Sequence, residues 1–105
     1  METKMNEQAL RTILFTLTTE ELLAQLAEEC AELSQAALKL IRARTGRNPT
    51  PRTAQECVES LAEEMADVAL CMGLVADAYD LDVDEIEEIR DEKVARWAKR
   101  LEATP

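Results

Sequence analysis

The chain has 105 residues and a formal net charge of -10, with 22 acidic residues against 12 basic ones and no histidine. That length makes one domain with a modest core. The charge excludes a nucleic-acid polymer or an anionic membrane as the natural partner, because both need a basic footprint. Hydrophobic residues make up 47% and aromatics only 3%, with two Gly and three Pro, which is the composition of an all-helical bundle.

A short first helix is predicted over roughly residues 6–16. A second opens on a capping box, Thr18 with Glu21, and carries apolar residues at Leu22, Leu26, Cys30, Leu33, Ala37 and Leu40. It should stop at Arg44 or Thr45, where Gly46, Asn48, Pro49 and Pro51 break helices. The third helix has its own capping box, Thr53 with Glu56. Its apolar stripe runs through Val58, Leu61, Met65, Val68, Met72, Val75 and Tyr79. Asp82 with Glu85 repeats the start signal for a fourth helix bearing Val83, Ile86, Ile89, Val94, Trp97 and Leu101. Trp97 and Tyr79 are expected in the core.

Cys30, Cys57 and Cys71 lie in apolar helical patterns without C-x-x-C spacing, so they read as small core or wall residues in a reduced compartment. The longest apolar stretch, residues 68–76, is too short to span a bilayer, and no signal peptide is expected. The expectation is a cytoplasmic protein.

The chain nearly repeats itself. The octet 26–33, LAEECAEL, aligns with 61–68, LAEEMADV, at an offset of 35 residues, one copy on each long helix. Turning about 100° per residue, with Leu26 at zero, Glu29 falls at about -60° and Glu32 at about -120°. Glu64 and Asp67 take the same angles relative to Leu61, whereas Glu28 and Glu63 point away into solvent. Each helix therefore offers one acidic pair on the same edge of its apolar stripe. The short connection forces the two helices antiparallel, which leaves both edges on one side. The two pairs also sit within about 1–2 Å of the same level. Four carboxylates converge.

Like charges held together oppose their own ionisation, and the natural compensation is a hard, oxygen-preferring cation, Mg²⁺ or Mn²⁺. A di-iron bundle would use Glu-x-x-His pairs, and this chain has no histidine.

Glu28-Glu29-x-x-Glu32 followed by Glu64-x-x-Asp67 resembles the pattern of the MazG-like all-α nucleoside triphosphate pyrophosphohydrolases, over about residues 22–100. Leu33 and Val68 after the pairs fit as well, and the stretch between Glu32 and Glu64 is slightly longer than the usual spacer. The resemblance implies Mg²⁺ held by Glu29, Glu32, Glu64 and Asp67, one of which also positions or deprotonates the attacking water. It implies cleavage of the α–β bond of a (deoxy)nucleoside triphosphate to monophosphate and pyrophosphate, as nucleotide-pool house-cleaning. The alternatives are a phosphoribosyl-ATP pyrophosphohydrolase-like enzyme and a non-catalytic acidic interaction module.

Lys93 and Arg96 on the fourth helix are candidates for binding substrate phosphates, as is Lys39, two turns after the first acidic pair. Arg42, Arg44, Arg47 and Arg52 surround the turn and are expected to counter the acidic bundle or favour the helix C-terminus, with attraction of substrate as the alternative. Gln25, Ala36, Ser60 and Cys71 project from the same edges as the acids and should line the cleft. So small a domain leaves apolar surface to cover, and the expectation is a homodimer or homotetramer.

Overall fold

A computed structural model describes residues 2–103, and the side chains of 6–103. The described residues form an all-α fold of four helices: α1 (Glu2–Thr16), α2 (Thr19–Thr45), α3 (Ala54–Ala78) and α4 (Val83–Ala103). None of them is long and apolar enough to cross a membrane.

The helix starts follow the sequence signals. Thr18 accepts from the Glu21 backbone N–H at 3.1 Å while Glu21 Oε1 accepts from the Thr18 N–H at 2.9 Å. Thr53 and Glu56 repeat both bonds. Each box satisfies two of the donors that a helix start leaves free. At Asp82 the bonds run one way, from the N–H groups of Asp84 and Glu85 to its carboxylate. Helix α2 ends on Gly46, whose φ of 73° lets its N–H close on the Arg42 carbonyl, a conformation that costs glycine no steric penalty.

Helices α2 and α3 pack along their length as one antiparallel hairpin. The register is fixed by neighbours across it: Ala36 shares a cavity with Cys57 and Ser60, and Leu22 shares one with Leu74. The line facing the partner runs through Leu22, Leu26, Glu29, Leu33, Ala36 and Leu40 on α2. On α3 it runs through Cys57, Leu61, Glu64, Val68, Cys71 and Val75. Those steps of four and three are the seam of a two-stranded coiled coil. Helix α1 lays Leu10, Ile13 and Leu14 over the open end of the hairpin, against the buried cluster of Leu22, Leu74 and Val75.

This seam corrects the expected stripes. Cys30, Ala37, Val58, Met65, Met72 and Tyr79 are exposed, and the positions next to them, Glu29, Ala36, Cys57, Glu64 and Cys71, face inward instead. A helix presents only a narrow line to one partner, and the apolar arc on these helices is wider than that line. The surplus half is left outside. Helix α4 departs further: every described residue of it is exposed, Trp97 at 61%, and α4 has no extensive packing against the other described helices. Its apolar residues, expected as core, form no core within the chain.

The hairpin thus has two unlike faces. On α3, Asp67 lies about 70° to one side of the seam, and Val58, Met65 and Met72 lie about 70–110° to the other. Helix α2 matches it, with Glu32 on the first side and Leu23, Cys30 and Ile41 on the second. The acidic side is the front, and the apolar side is the back.

Candidate metal centre

Glu29, Glu64 and Asp67 come together at mid-hairpin, each offering one carboxylate oxygen within 4.8 Å of the others. Glu29 and Glu64 are partly buried because they occupy seam positions, and Asp67 stands exposed at the front edge. Glu32 does not join that group of oxygens. It stands exposed one turn along α2, close enough to Glu29 to act on its charge, and it shares a cavity with Glu64.

Gln25 Nε2 donates to Glu29 Oε1 at 2.9 Å, which fixes the rotamer of that carboxylate. The other oxygen, Oε2, is buried and has no hydrogen-bond partner among the described residues; Glu64 Oε2 is in the same condition. Two buried carboxylate oxygens without donors are costly unless something positive meets them. Desolvation is the main force pushing the Glu29 carboxyl above its ordinary value of 4.5; the Gln25 bond opposes it, and the charges of Glu32 and Asp67 add to it. The Cys71 thiol beside them is pushed up as well, first by burial and then by Glu29 and Asp67, so it stays a protonated wall residue. An oxygen-only donor set with two orphaned oxygens fits a hard divalent cation.

Two cavities open on either side of the acids. One, of about 310 Å³, is lined by Glu32, Gln35, Ala36, Lys39, Arg52, Cys57, Ser60 and Glu64. The other, of about 320 Å³, lies under α1 between Ile13, Leu17, Leu22, Gln25, Glu29, Asp67, Leu70, Cys71 and Leu74. Small side chains at Ala36, Ser60 and Cys71 leave the room, as their place on the acidic edge predicts.

Of the cations named from sequence, the structure brings Lys39 to the acids. Lys93 and Arg96 stay exposed on α4 and line neither cavity. Arg52 lines the first cavity, where its place in the turn had favoured a counter-charge over a role in attracting substrate. Its neighbour Glu56 is held below the ordinary carboxylate value by the two Thr53 hydrogen bonds, and Arg52 adds to that effect. Phe15 is 87% exposed, and Cys30 is exposed rather than walled in.

No family model matches the chain, and comparison with curated proteins and with solved structures finds no match either.

Proposed function

We propose that the chain is a MazG-like pyrophosphohydrolase of the cytoplasm, a homodimer or homotetramer that hydrolyses the α–β bond of (deoxy)nucleoside triphosphates with Mg²⁺. The observation that carries this reading is the pair of orphaned buried oxygens on Glu29 and Glu64, grouped with Asp67 beside a cavity holding Lys39 and Arg52. Acids alone would repel a polyphosphate. The two cations on the same cavity give its outer phosphates a place to bind.

Glu29, Glu64 and Asp67 would hold the metal, with Glu32 at the rim. Mg²⁺, when bound, neutralises charge on both parties and polarises the phosphoryl group. The protein's own part is positional. Gln25 and the helical seam fix the carboxylates, and Lys39 and Arg52 hold the pyrophosphate end. Water forms the new bond to the α-phosphorus, the bridging oxygen leaves with pyrophosphate, and the water proton passes to a carboxylate, the one base type these helices offer at the site.

The test is a panel of dNTPs, NTPs and phosphoribosyl-ATP with Mg²⁺, separating monophosphate plus pyrophosphate from diphosphate plus phosphate. Pyrophosphate release from a nucleoside triphosphate supports the reading. Preference for phosphoribosyl-ATP would assign the related reaction. Absence of any turnover, with no Mg²⁺-dependent rise in melting temperature, would leave a non-catalytic acidic module.

A further inference from the structure

The two cavities beside the acids differ in what they can hold. The one toward the turn carries Lys39 and Arg52. The one under α1 is walled by aliphatic side chains, among them Ile13, Leu17, Leu70 and Leu74, together with Glu29 and Asp67. Among the described residues no cation and no aromatic ring lines it. Phosphate groups are therefore drawn to the first cavity and repelled from the second, where two carboxylates would meet them. At about 320 Å³ the second lies in the size range of small-molecule sites, and its aliphatic walls favour a flat, weakly charged ring.

Gln25 is the only amide on that lining. Its Nε2 donates to Glu29 Oε1 at 2.9 Å. The bond fixes which way the amide faces: the nitrogen is held against the acid, and the carbonyl oxygen is turned away from it. A base with an amino group on its outer edge donates to that oxygen. A base with a carbonyl there has to use the second N–H of the same nitrogen. That places its oxygen beside Glu29 and Asp67, where negative charge repels it. The Cys71 thiol is the other side-chain donor on the lining, and it is a weak one. Depth agrees, because α2 rises about 10 Å from Gln25 to Glu32, which suits the span from the α-phosphate of a nucleotide to the far edge of its base.

We propose that the cavity under α1 takes the base of the nucleotide, and that the Gln25 carbonyl selects bases with an amino group at that edge, cytosine or adenine, over bases with a carbonyl there. The inference rests on the hydrolase reading, which puts the pyrophosphate end on Lys39 and Arg52.

Calorimetry of nucleoside monophosphates on the full chain with Mg²⁺ tests it without turnover. dCMP should bind at least about tenfold more tightly than dUMP, and dAMP than dIMP, since each pair differs only at that edge. Gln25→Leu should bring each pair to within about threefold, whereas a role confined to holding Glu29 would weaken all four ligands alike and keep the gap. Leu70→Trp, which narrows the cavity from a half-exposed position, should weaken dCMP and leave Mg²⁺-pyrophosphate binding within about twofold. Lys39→Ala should do the reverse. Pyrophosphate release from all triphosphates alike, with dCMP and dUMP binding equally, would overturn this inference and leave the hydrolase reading standing. Tighter dCMP binding without release from any triphosphate would support the base site and remove the hydrolase reading. A dCMP affinity unmoved by both Gln25→Leu and Leu70→Trp would also overturn the inference.

Discussion

The two faces of the hairpin are built from the same repeat and put to opposite uses. Both octets place an acid in the seam and another at the front edge, and both turn a sulfur-bearing residue, Cys30 or Met65, to the back. At the front, burial is spent on charge: Glu29 and Glu64 take seam positions that would hold leucine in an ordinary coiled coil. At the back, apolar side chains stand where charge would be cheaper. Stability is given up on both faces. The proposed cation would give the front's departure from good packing its reason, and the proposed homo-oligomer would give the back's.

The comparison is broken most directly at the acids. Glu64→Gln and Asp67→Asn should each lower Mg²⁺-dependent pyrophosphate release by at least about a hundredfold. Glu28→Gln and Glu63→Gln, which point to solvent, should leave it within about twofold. Equal effects from Glu63 and Glu64 would put the active face elsewhere. Next in size are the packing changes. Leu22, at 3% exposure beneath α1, should cost about 2–4 kcal/mol when cut to alanine, a loss independent of protein concentration. Met65→Ala, on the exposed back, should cost less, and in the proposed homo-oligomer its loss should grow on dilution. Urea melts at two concentrations separate the two. Arg52→Ala should raise KM several-fold with a smaller change in kcat, as expected of a group that binds phosphate without touching the reacting bond. The same change at Lys93 should do less, since in one copy that side chain lies away from the cavity.

Much of this was legible in the sequence because the signals were local. Thr18 with Glu21 and Thr53 with Glu56 announce helix starts through bonds made within four residues, and both boxes form as written. Three of the four acids were legible because a repeat fixes angle and depth together: the structure brings Glu29, Glu64 and Asp67 to one point, while Glu32, expected with them, stands apart one turn along α2. The seam was not. An apolar arc on a helix says that some of it is buried, not which half, and the choice between Cys30 and Glu29 was settled by the facing helix. The apolar spacing of α4 made a core the expectation, yet all of its described residues are exposed, and periodicity carries no information on which surface, if any, answers it. Arg52 was read as a turn residue because its direction depends on how the Thr53 cap redirects the backbone, a feature of three-dimensional path.

The finest test concerns the cost of the front face when it holds no metal. The Glu29 carboxyl titrates above its ordinary value of 4.5, mainly because it is desolvated and secondarily because Glu32 and Asp67 repel its charge. A carboxyl raised in this way binds its proton more tightly folded than unfolded. Its contribution to stability is therefore fully present at low pH and is lost as pH rises from the ordinary value through the raised one. Metal-free protein titrated upward across that window should lose melting temperature by a component that Glu29→Gln removes, leaving the variant the more stable of the two near neutrality. Adding Mg²⁺ should invert the ranking, because the cation rewards the ionised carboxylate that desolvation penalises. If Glu29→Gln melts below the unmodified chain at neutral pH without metal, then Gln25 and the seam satisfy that carboxylate fully, and the buried acids are structural rather than held for a cation.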